Sequence, residues 1–233
     1  MPAGLPIVLV PGLNCSPRLY GPQVPALWRL GPVTVANHTG DDTMAAIARR
    51  ILDGAPPRFA LAGLSMGGYI ALEMVRQAAD RVARLALLDT GARADPPEAQ
   101  DVRKQRIALA ESGRFAEMTD SMWPLLVPPD RRADAALKQV YLDMCNDVGP
   151  QAFVRQQKAI MGRVDSRPLL PSIRCPTLVL VGAQDELTPP HLAEEMAAAI
   201  PGARLVKVPD CGHLSTLERP EAVTAELMAW LAA

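Results

Sequence analysis

Residues 59–74 run Phe-Ala-Leu-Ala-Gly-Leu-Ser-Met-Gly-Gly-Tyr-Ile-Ala-Leu-Glu-Met, an apolar β-prone stretch that passes into a helix-prone stretch with almost no connector. The junction is Gly63-Leu64-Ser65-Met66-Gly67, the G-x-S-x-G pattern of a nucleophile elbow. A strand that turns into a helix this abruptly forces its apex residue, Ser65, into a strained backbone region. The residues two positions either side must then lack bulk, as Gly63 and Gly67 do. A helix starting at the serine also aims its N-terminal N–H groups at the space beside the hydroxyl, where they would stabilise negative charge. The competing reading is a glycine-rich turn whose serine only caps a helix.

Around this junction, six short apolar runs read as strands: Leu5–Val10, Val33–Ala36, Phe59–Gly63, Leu85–Leu88, Thr177–Val181 and Arg204–Val208. Several are nearly continuous Val, Leu, Ile and Ala, as expected when helices cover both faces of a parallel sheet. Helical patterns lie between them, at Thr43–Leu52, Met66–Ala79, His191–Ala199 and Glu221–Leu231. This alternation predicts an α/β fold with a doubly wound, mainly parallel six-stranded sheet. One interval breaks it. From Gly91 to Pro171, about 80 residues carry no strand pattern, only helical stretches separated by Pro96-Pro97, Pro124, Pro128-Pro129 and Gly149-Pro150. It is read as a helical cap insertion over the carboxyl ends of the strands, where α/β sheets bind ligands. The expected organisation is a core of 1–91 and 171–233 with a cap of 92–170.

With 24 basic and 25 acidic residues interspersed and a formal net charge of −1, the chain has no electrostatic footprint for nucleic acid or an anionic membrane surface. No apolar run approaches the ~20 residues of a membrane span, and the first residues carry no basic, hydrophobic leader pattern, so a cytoplasmic location is expected. Cys15, Cys145, Cys175 and Cys211 form no C-x-x-C pair and are read as reduced, buried thiols.

A serine hydroxyl is a poor nucleophile at neutral pH without a positioned base. Of three histidines, His191 follows two prolines at a helix start and reads as solvated. His38, after the second strand, reads as a pocket residue on the same rim. His213, in Asp210-Cys211-Gly212-His213-Leu214-Ser215 after the last strand, is the candidate base. The base needs an acid to hold its tautomer. Asp185 directly follows the fifth strand and is favoured, while Asp89, at the end of the fourth, is the competitor, with a turn cap as its alternative role. An oxyanion would be held by the Met66 N–H and by an N–H of the loop Val10-Pro11-Gly12-Leu13-Asn14, with Leu13 best placed and Asn14 second.

Taken together, these segments resemble the serine α/β-hydrolases over nearly the whole chain, Leu5 to Leu231. Gly63–Gly68 matches the elbow, Gly182-x-x-Asp185 the acid loop, and Asp210-x-Gly212-His213 through Glu218-x-Pro220 the closing histidine segment. The order Ser65, Asp185, His213 is the family order. Thr188-Pro189-Pro190 and His213-Leu214-Ser215 with Glu218-Arg219-Pro220 are similar to the enol-lactonase and small-carboxylesterase branch. Two departures stand out. Pro11-Gly12 replaces the family's His-Gly in the oxyanion loop, and the first apolar run takes the place of the third family strand, which predicts a minimal six-stranded sheet.

The resemblance implies two-step acyl transfer: Ser65 attacks an ester carbonyl, His213 acts as base, and no metal or organic cofactor takes part. The expected partner is a small-molecule ester or lactone. A lactonase or carbon–carbon hydrolase would use the same three residues, and a ligand-binding protein without turnover is the reading from another class. Asn14, His38, Met122 and Trp123 are candidate pocket residues. Met118, Leu125, Leu126, Met144 and Met161 add to a flexible apolar insertion, although packing among its own helices is the better account of any one of them. Arg103, Arg106 and Arg155 are cations that a substrate carboxylate could meet, but no sequence pattern points them inward.

Overall fold

The computed structural model describes residues 4–232. The outer ends of the expected core segments, residues 1–3 and 233, lie outside the described residues. Six strands, β1 (Ile7–Val10), β2 (Val33–Val35), β3 (Phe59–Leu64), β4 (Val82–Leu88), β5 (Thr177–Gly182) and β6 (Arg204–Val208), form one sheet in the order β2-β1-β3-β4-β5-β6. Every neighbouring pair is parallel. The helices are α1 (Val24–Leu27), α2 (Met44–Gly54), α3 (Met66–Ala78), α4 (Pro97–Glu111), α5 (Phe115–Leu126), α6 (Ala135–Met161), α7 (Pro190–Ala199), α8 (Ser215–Glu218) and α9 (Pro220–Ala232).

The pattern of apolar residues explains the layers. β1, β3 and β5 are buried along their whole length, whereas the outer strands β2 and β6 are partly exposed. Alternate strand residues feed two cores. Val8, Leu61, Leu85, Leu87 and Val179 pack with α2, α3 and α7, while Ile7, Leu9, Ala60, Ala86 and Leu178 pack with α9 on the other face. The start of α2 is fixed by Thr43, whose hydroxyl accepts the Ala46 N–H at 3.2 Å. That helix then buries Met44, Ile47, Ala48, Ile51 and Leu52 on one stripe.

The strands differ from the expected runs only at their ends, most visibly in β4, which starts at Val82 because the segment reaches the sheet three residues before its continuous apolar stretch. In register, Val10 pairs with Gly63, Leu64 with Leu88, and Gly182 with Val208, so the carboxyl ends of β1, β3, β4, β5 and β6 form one rim.

Between β4 and β5 the insertion supplies α4, α5 and α6. Pro124, expected to separate helices, instead lies inside α5, two residues from its end. Proline there forfeits only one late helical bond. The Gly149-Pro150 break is real: Gly149 has φ 76° and ψ 166°, which kinks α6. Cys15, Cys145 and Cys211 are buried free thiols, while Cys175 is half-buried. No helix among the described residues is long and apolar enough to cross a membrane.

Candidate active site

Ser65 is the single residue between β3 and α3, with φ 55° and ψ −116°. Such a conformation costs of order 1–3 kcal/mol and must be imposed by its surroundings. Its N–H donates to Leu88 O at 2.9 Å, and its carbonyl accepts from Gly68 N at 2.9 Å and Thr90 Oγ1 at 2.8 Å. The tightness of the turn explains its glycines. A Cβ on Gly63 would stand 2.1 Å from Gly67 O, and one on Gly67 would stand 2.0 Å from Val10 O.

His213 sits in the loop after β6. Its N–H donates to Leu126 O at 3.0 Å, so α5 of the insertion is fastened directly to this loop. The Glu218 carboxylate grips the loop from both sides of the histidine, accepting Gly212 N–H at 3.0 Å and Leu214 N–H at 2.9 Å. The sequence marks Glu218 as part of a motif, but its bracketing role emerges only in three dimensions. The imidazole Nδ1 lies 2.8 Å from Asp185 Oδ2. Asp185 is itself fixed: Oδ1 accepts the Leu187 and Thr188 N–H groups, each at 2.9 Å, and Oδ2 accepts the Thr188 hydroxyl at 2.7 Å. Burial alone would lower the pKa of His213, but the charge and hydrogen bond of Asp185 outweigh it and raise the value above the ordinary 6.5. For Asp185, burial pushes up, and His213 with Thr188 brings the value below the usual carboxylate range.

Asp89 is engaged elsewhere. Its Oδ1 accepts Gly182 N–H at 2.8 Å and its Oδ2 accepts the Ser215 hydroxyl, an arrangement that ties β4, β5 and the histidine loop together. Burial first, and then the negative charge of Asp185, push its pKa up to about 8.

A cavity of about 660 Å³, including its open mouth, brings together Leu13, Ser65, Met122 and His213. Among the described residues no hydrogen bond joins Ser65 to His213, although both line this space. Neither the Leu13 N–H nor the Met66 N–H has an acceptor among the described residues; Leu13 lines the cavity and Met66 directly follows the serine. Asn14, His38 and Trp123 do not line the cavity. Asn14 is buried with φ 59°, and its N–H donates to Gln156 Oε1 at 3.0 Å. The Trp123 indole donates to Arg132 O at 2.9 Å and packs beside Tyr141. Trp123 follows Met122 directly, and the ~100° step between successive helical residues turns it away. His38 Nε2 lies 2.9 Å from Gly12 O, so a buried imidazole steadies the loop in which Pro11 stands where a histidine is usual. Burial depresses its pKa to about 4.

Sequence reasoning misses Gln156, Tyr69 and Tyr141 and marks Thr188 only as part of a motif; Thr188, Tyr69 and Tyr141 line the cavity from helices and loops far apart in the chain. Arg103 and Arg106 line it, whereas Arg155 Nε donates to Thr39 O at 2.8 Å. Among the described residues no group of three or more His, Cys, Asp or Glu is arranged to hold a metal ion.

Comparison with known proteins bears on this geometry. A thermophilic esterase from Thermogutta terrifontis, solved with malate bound, superposes with a TM-score of 0.90 at 33% identity, covering 99% of this chain and 90% of that one. The enol-lactonase from Burkholderia xenovorans LB400 superposes with a TM-score of 0.87 at 27% identity, covering 99% and 92%. The pimeloyl-[acyl-carrier protein] methyl ester esterase of Neisseria meningitidis is 28% identical over 238 residues, 94% of this chain and 90% of that protein. The model of the alpha/beta hydrolase family matches residues 7–227, and the chain belongs to that family.

Proposed function

We propose that this chain hydrolyses carboxylic esters through Ser65, His213 and Asp185. The observation that carries the reading is the meeting, in one cavity, of a serine on a strained strand–helix turn with a histidine whose Nδ1 is held 2.8 Å from a buried carboxylate.

Asp185 fixes the tautomer in which His213 Nε2 is free to accept a proton. His213 takes the Ser65 hydroxyl proton as Oγ bonds to the ester carbon. The carbonyl oxygen becomes an oxyanion, stabilised by the Leu13 and Met66 N–H groups. As the C–O bond to the alcohol breaks, His213 returns the proton to the departing oxygen, leaving an acyl-Ser65. Water then repeats the cycle: His213 takes its proton, the hydroxyl oxygen attacks the acyl carbon, and Ser65 recovers the proton as the acid leaves. In a lactone the departing oxygen stays tethered to the acyl chain, so the same atoms serve, and the similarity to an enol-lactonase keeps that variant in view.

The deciding experiment compares hydrolysis of p-nitrophenyl acetate, butyrate and octanoate by the wild type and Ser65→Ala. Loss of several orders of magnitude in kcat is expected, and the chain-length preference would measure the acyl site. Equal rates in the two proteins would overturn the proposal in favour of a ligand-binding role.

A further inference from the structure

The cavity has an unbalanced charge. α4 places Arg103 and Arg106 three residues apart, hence on one face of the helix, and both line the cavity that holds Ser65. Arg103 is satisfied within the protein: Nε donates to Asp95, and Nη1 donates to Gln157 Oε1 at 2.8 Å. Asp95 also takes Arg163 Nη1 at 2.8 Å, and the Arg163 guanidinium lies 4.2 Å from the centre of the Tyr69 ring, another cavity residue. One buried carboxylate therefore serves two guanidinium groups. Arg106 has none. Among the described residues its guanidinium makes no ion pair and no hydrogen bond, and no acidic residue lines the cavity.

We propose that Arg106 forms an anion subsite and that the ester or lactone accepted here carries a free carboxylate. A guanidinium offers five donors in a fork matched to the two oxygens of a carboxylate. Half-buried and without a protein partner, it can exchange solvent for a ligand anion without breaking any bond within the protein. Burial, and secondly the charge of Arg103, depress its pKa, consistent with a cation awaiting an anion. Leu13, Met122, Leu126 and Leu187 give the lining an apolar stretch that suits the short chain linking the carboxylate to the ester carbonyl. The inference rests on Ser65 as the reacting group but has a separate readout in binding.

The test pairs mono-p-nitrophenyl glutarate with neutral p-nitrophenyl valerate in low salt, for the wild type, Arg106→Met and Arg106→Lys. At least a tenfold preference in kcat/KM for the anionic ester is expected. Arg106→Met should shrink that ratio tenfold or more, Arg106→Lys should keep part of it, and 0.5 M NaCl should narrow it. Binding of glutarate by the Ser65→Ala protein is followed by calorimetry, with and without the added Arg106→Met. No anionic preference in the wild type, or an equal loss on both esters in Arg106→Met, overturns the proposal while the hydrolase reading stands. Glutarate binding that depends on Arg106, in a protein hydrolysing neither ester, supports the subsite and overturns the hydrolase reading instead. Should Arg106→Met fail to fold, the wild-type preference and Arg106→Lys decide the matter.

Discussion

The backbone N–H of Asn14 donates to the side-chain Oε1 of Gln156 at 3.0 Å, which ties the loop after β1 to a helix 142 residues further along. Gln156 is fully buried in α6, so this bond is shielded from water. It holds the residue next to Leu13, the proposed oxyanion donor. Replacing Gln156 by Leu would strand a buried N–H, at about 1–3 kcal/mol. If that cost falls on the loop's geometry, kcat should drop roughly 10–100-fold with KM within threefold. A protein that is less stable but has unchanged kcat would show that the bond only supports packing.

The two buried aspartates make opposite predictions. Asp185→Asn is expected to lower kcat about 10⁴-fold, because the amide would hold the imidazole in the wrong tautomer. Asp89→Asn should cost less than tenfold, since an amide can still accept from Gly182 N–H and can donate to Ser215. Stability moves the other way. The folded value near 8 for Asp89 lies above the unfolded 3.8, so its contribution is intact below about pH 4 and is lost as pH rises towards 8. Urea midpoints should therefore favour Asp89→Asn over the wild type increasingly across that window. The reverse kinetic pattern would make Asp89 the acid.

The pH dependence of kcat/KM reports on His213. Only the neutral imidazole can take the Ser65 proton, so activity falls about tenfold per pH unit below its pKa. Because Asp185 raises that pKa, the acid limb should have its midpoint above 6.5. In Asp185→Asn, the residual activity should show a midpoint displaced to lower pH. An acid limb at the same position in both proteins would mean that another group controls it.

What the sequence discloses follows from how local each signal is. The sheet is legible because β1, β3 and β5 are buried on both faces and are therefore continuous apolar runs. Ser65, Asp185 and His213 stand out because each lies within five residues of the carboxyl end of a strand on the same rim. The insertion hides its contribution. Adjacent Met122 and Trp123 face different ways, and Arg106 and Arg155 cannot be ranked before α4 and α6 are packed. Gln156 and Glu218 act on backbone N–H groups, which leave no mark in side-chain pattern. His38 follows the second strand on the expected rim, yet it turns to the Gly12 carbonyl behind the loop and not into the cavity.

That placement of His38 gives the last prediction. Its folded pKa of about 4 lies below the ordinary 6.5, because burial disfavours the charged ring, opposed by the bond to Gly12 O. Neutral His38 therefore contributes stability that is complete above about pH 6.5 and is lost as pH falls towards 4. Below that window the folded protein binds the proton as well, and the loss levels off. At ~1.4 kcal/mol per pKa unit the loss is on the order of 3 kcal/mol. His38→Gln cannot titrate, so its stability should decline less between pH 6.5 and 4, as measured by urea unfolding at half-unit steps. Parallel curves for the two proteins would place the acid sensitivity elsewhere in the fold.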